Sequence, residues 1–224
     1  MPDKTWALDY SLRDVQNWDW VVLVIVGIFA MIAMLSYVYH KRFKEFIQLP
    51  LTDKYFKLQG KVNVIQHPFN AVLFVTQVLS FSLYIFLLFL SFHPDMTFAN
   101  PWLFIQIITF FAGFILLKYF LEKTIAHIFN LDTLVNGYLY EKLSYTSLIS
   151  ILVFAANILF YFAFKPSKQL LLGFSALIVL LFVISLLSSF KRNWNTILRH
   201  FFYFILYLCA LEFAPLIILY QLLV

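Results

Sequence analysis

Apolar residues in this chain come in long, nearly unbroken runs, with the polar residues pushed into the intervals between them. Six runs stand out, over residues 20–39, 69–92, 101–122, 145–164, 170–190 and 201–223. Each is about the length that a helix needs to cross a hydrocarbon core of roughly 30 Å. Helices are the expected form, because in lipid every backbone N–H and C=O must find its partner within its own segment. The period-two alternation of a lipid-facing barrel strand is missing from the runs. The second and fourth intervals, 93–100 and 165–169, are tight, whereas the first, third and fifth are longer. The pattern predicts an all-α, polytopic membrane protein: one domain over residues 1–224, a bundle of six transmembrane helices with short outer loops and longer basic cytoplasmic loops.

Composition strengthens this reading. Apolar types make up 63% of the chain and charged types 12%, against about 25% charged residues in ordinary globular domains. Twenty-eight Phe and thirteen Tyr are more than a water-facing surface would carry. Cys209 is the one cysteine and lies inside an apolar run, so it carries no disulfide information. Segment 1–19 holds four Asp, and no small-residue cleavage site follows the first run, so it does not read as a signal peptide.

The net charge of +5 matters less than its placement. Twelve of the sixteen basic residues fall on one side: Lys41, Arg42, Lys44, Lys54, Lys57 and Lys61, then Lys118, Lys123 and Lys142, then Lys191, Arg192 and Arg199. Lys4, Arg13, Lys165 and Lys168 fall on the other. The positive-inside rule puts the first group in the cytoplasm and both termini outside, an alternation that requires an even number of spans. The basic interfacial loop, 40–68, interleaves its six cations with Phe43, Phe46, Ile47, Tyr55 and Phe56, and Pro50 and Gly60 break it into short pieces. It reads as a solvated loop that fixes topology, or as a surface for anionic lipid headgroups through Lys41, Arg42, Lys44, Lys54, Lys57 and Lys61. The cytoplasmic connection 123–144 reads as a short amphipathic piece with a break at Asn136-Gly137. Trp18, Trp20, Trp102 and Trp194 read as interfacial anchors.

One polar feature lies deep in a run. Glu212 is eleven residues past Phe201, about 16 Å along a helix, and so near the bilayer middle. Ionised, it costs at least a few kcal/mol there, so a neutral carboxylic acid is expected. Pro215, three residues on, removes an N–H and displaces the carbonyl of Leu211. Together they make a local polar defect that neighbouring helices must satisfy. Asn157, at matching depth, is the first expected contact, then Gln77, then Lys118, which also has the i, i+4 spacing to pair with Glu122. Two readings follow. In the first, Glu212 is a hydrogen-bonded packing residue worth about 0.6 kcal/mol on average and up to ~2. In the second, it carries a proton in a transport path, for which a single intramembrane acid is thin support.

Of five histidines, His40, His67, His127 and His200 fall at cytoplasmic ends of spans, which makes them weak candidates for a metal or haem site; no pair has ligand spacing on one helix. His93 is on the outer side. No Gly-x-Ser-x-Gly, His-Glu-x-x-His or Asp-rich Mg²⁺ box is present, and the cytoplasmic set His67, Glu122, His127, Asp132 and Glu141 is an unspecific acid–base candidate.

The C-terminal stretch Leu206, Tyr207, Leu208, Cys209, Glu212, Pro215, Leu216 and Tyr220 resembles the closing signature of a bacterial integral membrane family, domain of unknown function 4271, with Gln221 where a basic residue is frequent. The resemblance fits the whole chain in length and layout. It implies the inner membrane of a two-membrane bacterium, so that the outer side on which the charge pattern puts both termini is the periplasm, and it implies no activity. The leading expectation is a non-enzymatic subunit or scaffold of an envelope assembly. Its expected partners are the bilayer, including anionic lipids, and other membrane proteins or further copies of itself; no cofactor and no nucleic acid are expected. The alternatives are a small transporter or proton-coupled unit centred on Glu212, and a membrane enzyme or metal site built on the cytoplasmic histidines.

Overall fold

The computed structural model describes residues 19–49, 67–92, 101–128, 132–163 and 167–199. Among them are six helices and no strand: α1 (Asp19–Val38), α2 (His40–Ile47), α3 (Pro68–Phe92), α4 (Pro101–Ile128), α5 (Asp132–Phe162) and α6 (Lys168–Arg199). All but α2 are long and apolar enough to cross a membrane, which is compatible with a membrane location. They coincide with the first five expected spans. The sixth, 201–223, lies outside the described residues.

α1 buries Val21, Ile25, Ile28 and Leu35, a single stripe at helical spacing, and exposes Leu23, Val26, Phe29 and Met34. Tyr39 turns the chain into α2, whose amphipathic eight residues send Phe46 inward and leave Lys41 and Lys44 outside. α3 starts where His67 acts as its N-cap. The ring Nδ1 accepts the N–H of Phe69 at 3.2 Å, and Pro68 occupies the first helical position, where its missing N–H costs nothing.

α3 is the centre of the bundle. It is buried on most of its circumference and packs on α5 above all, with α1, α4 and α6 also against it. The α3–α5 contact is lined by small residues, Ser80, Ser147, Ser150 and Ala156, which let two backbones approach closely. α4 and α6 lie outside and present Phe110, Leu117 and Phe120, and Val179, Leu180 and Leu187, respectively.

Consecutive long helices alternate in direction. Leu35, Phe46, Phe69 and Tyr140 form one cluster, so the end of α1, the start of α3 and the first third of α5 share a level. Ile25, Ile28, Phe86, Phe104 and Phe154 join the other ends of α1, α3, α4 and α5. There Trp20 meets Phe86 edge-on at 5.3 Å and Phe104 at 5.0 Å.

Three helices are longer than the hydropathy pattern suggests, among them α6, which continues past residue 190 to Arg199. α4 continues past Glu122 to Ile128, and α5 begins at Asp132 and runs through Asn136-Gly137 without the expected break. Helix-weakening Asn and Gly cost about 1 kcal/mol each or less, and packing of Val135, Tyr138 and Leu139 into the core offsets it. Residues 123–128 and 132–144 are thus helix.

Candidate functional site

The serines that permit close α3–α5 contact also make a polar seam. On α5, Glu141, Ser144, Ser147, Ser150 and Asn157 are all buried, and Asn70, Gln77 and Ser80 are buried on α3. From Glu141 to Asn157 the seam runs about 24 Å along the helix axis. Ser147 donates to Gln77 Oε1 at 3.2 Å. Asn157 Nδ2 donates to the backbone carbonyl of Ser80 at 2.9 Å. Ser150 returns to the carbonyl of Ser147 at 2.7 Å. Asn157 is 0% exposed, and its Oδ1 has no donor among the described residues; the hydroxyls of Ser80 and Ser82 are likewise buried and unpaired there. Such orphans are rare in folded proteins and call for a partner.

At its basic end the seam opens into two clamps. Lys142 Nζ bonds Glu122 Oε1 at 2.9 Å, tying α5 to α4. Ser189 Oγ donates to Glu141 Oε2 at 2.6 Å, tying α5 to α6. Glu122 and Glu141 are 3% and 7% exposed, so neighbouring residues of α5 hold one helix on each flank. At the other end Tyr84 donates to the carbonyl of Leu171 at 2.8 Å, with Ser175 Oγ 2.7 Å from its hydroxyl.

Beside the clamps lies a ring cluster. Tyr39 stacks edge-on against His67 and Phe69, at 5.4 and 5.7 Å, and Phe46 against Phe69 at 6.1 Å. The Arg42 guanidinium sits 5.1 Å over the Phe69 ring. Burial, with the nearby Arg42 charge, pushes the His67 imidazole below its usual value. That fits its task, since a neutral ring is needed to accept the Phe69 N–H.

The residues singled out by sequence divide accordingly. Gln77 and Asn157 both face the α3–α5 seam. Glu122 is buried and bonded by Lys142 from α5, while Lys118 lies one turn earlier on α4. Lys41 and Lys44 are exposed on α2, and Arg42 is partly covered. His40 and His127 are exposed, and no group of three His, Cys, Asp or Glu capable of holding a metal occurs among the described residues. Lys54, Lys57, Lys61, His200, Glu212 and Pro215 lie outside the described residues. The clamp between Glu141 and Ser189 and the serine ladder were not singled out as bundle contacts. The three-residue spacing of Ser144, Ser147 and Ser150, at and just inside the start of one apolar run, was their only signal.

No curated protein and no solved structure matches the chain. A known family does match it over residues 21–223, nearly its whole length: the chain belongs to Domain of unknown function (DUF4271).

Proposed function

We propose that this is a non-enzymatic, multi-pass protein of a bacterial inner membrane, with six spans, both termini periplasmic and the basic end cytoplasmic, acting as an integral subunit or scaffold of a cell-envelope assembly. One observation carries the reading. The interior polar side chains bond helix to helix, while α4 and α6 turn broad apolar faces outward. Side chains engaged in clamps are poorly placed for turnover, and outward apolar faces suit lipid and membrane-embedded partners, whether other proteins or further copies of this chain. The test is isolation in mild detergent with identification of co-purifying chains. A defined, stoichiometric membrane partner is expected. A chain that purifies alone as a monomer, and that leaves its host's envelope intact when deleted, would sink the reading. Substituted-cysteine labelling from each side checks the orientation.

A second reading, a proton-coupled unit centred on Glu212, draws on the open Oδ1 of Asn157 and the open hydroxyl of Ser80 at the end of the seam away from Glu141. A protonated Glu212, which the sequence leads one to expect at the same depth, is a donor suited to that acceptor. Glu212→Gln keeps hydrogen bonds but exchanges no proton. Loss of function in a variant that still folds and assembles favours the proton role; retained function favours packing.

A further inference from the structure

Arg42 poses a problem that the bundle itself does not solve. Its Nε and Nη2 atoms are buried and have no hydrogen-bond acceptor among the described residues. A guanidinium stays charged at any physiological pH, and a buried charge without a partner is costly. The ring beneath it offsets only part of that cost, because a cation–π contact supplies no hydrogen-bond acceptor. The two open nitrogens lie on the same edge of the guanidinium. Their N–H bonds run parallel, in the fork that takes two oxygens of one carboxylate or phosphate.

The side chain is held for this. Phe46 and Phe69, both 0% exposed, anchor α2 on α3. Tyr39, at the α1–α2 turn, packs on Phe69 and His67. Arg42 is therefore fixed in place over Phe69, unlike Lys41 and Lys44 beside it, which are exposed.

Position selects the anion. α1 is the 20-residue apolar helix Asp19–Val38, and α2 begins two residues after it ends. Arg42 lies four residues past Val38. In a bilayer that is where the hydrocarbon stops and the phosphates begin, and phosphate is the anion most abundant at that level. Resting on the reading above that the bundle is seated in a membrane with its basic end inward, we propose that Arg42 is a built phosphate site. Its bidentate edge takes the phosphate of an inner-leaflet phospholipid at the α1–α2–α3 corner, and Lys41 and Lys44 add only diffuse attraction. A single lipid headgroup thereby becomes a fixed part of the corner.

The chain has four arginines, Arg13, Arg42, Arg192 and Arg199, so ¹⁵N-arginine labelling of the full-length protein in micelles gives four Nε signals. Arg42→Lys identifies one of them by its loss. Adding dioctanoyl phosphatidylglycerol is expected to shift the Arg42 signal saturably, and dioctanoylglycerol, which lacks the phosphate, to leave it in place. Binding of the phospholipid should weaken at least about tenfold in Arg42→Gln, and no more than about fivefold in Lys41→Gln or Lys44→Gln. No shift in the folded wild type, an equal shift with dioctanoylglycerol, or an equal loss in the lysine variants overturns the site. Inorganic phosphate at the same concentration distinguishes the source: if it saturates the Arg42 signal as well as the lipid does, the lipid assignment fails. The membrane reading is checked separately by cysteine labelling, so a chain that spans the bilayer yet shows no Arg42 shift refutes this inference alone.

Discussion

His67 shows how one side chain can serve local structure and report on its surroundings. It caps α3 in the neutral form, and burial and Arg42 both resist its protonation. The sign follows from linkage. The folded value lies below the ordinary imidazole value of about 6.5, so the unfolded chain takes up the proton first as pH falls. The contribution of the cap is complete above about pH 6.5 and is lost as pH drops through the lower, folded value. Thermal stability in detergent should therefore decline on the acid side, and His67→Asn, which keeps a good cap without titrating, should flatten that part of the decline. At the far end, Tyr84→Phe removes the bond to Leu171 and the contact with Ser175 without changing the ring. We expect a loss of about 1 kcal/mol, read by denaturant titration of the purified protein, and no change in oligomeric state.

At the scale of the helix, α5 does the most joining. Lys142 and Glu141 reach opposite neighbours. Lys142→Ala should cost about 3 kcal/mol, since it strands the buried Glu122 carboxylate, and replacing both Glu122 and Lys142 with Leu should recover most of the loss. A double variant as unstable as the single one would show that the carboxylate has another essential role. Five long apolar helices were legible from apolar run length, because that signal is strong for any segment of about 20 residues. Their ends were not, because apolarity marks where lipid stops and not where backbone hydrogen bonding stops; α5 begins thirteen residues before the run that announced it. Gln77, Asn157 and Glu122 were legible as polar residues set within apolar runs. The partners they have among the described residues were not, and Glu212, the contact expected for Gln77 and Asn157, lies outside those residues. Spacing offers Lys118 to Glu122, whereas the partner that bonds it, Lys142, comes from a different helix. Which helices lie side by side is a tertiary fact that no single run contains.

For the whole molecule, the contrast between central and peripheral helices sets where substitutions matter. Phe86 is 1% exposed between Trp20 and Phe104, whereas Leu180 is 57% exposed on α6. Phe86→Ala should cost about 3–4 kcal/mol through the cavity it leaves. Leu180→Ala should change stability by less than about 0.5 kcal/mol, unless that face is covered by a partner, in which case its effect appears in assembly. Thermal shift and crosslinking of the two variants separate these outcomes. The order of the chain adds a constraint on biosynthesis. α3, the most enclosed helix, leaves the ribosome well before α5, which covers its Gln77 and Ser80. On the membrane reading proposed above, that face waits in the bilayer with amide and hydroxyl groups unmet until α5 arrives, so a nascent chain stopped after α4 should be a preferred substrate for membrane quality-control proteases.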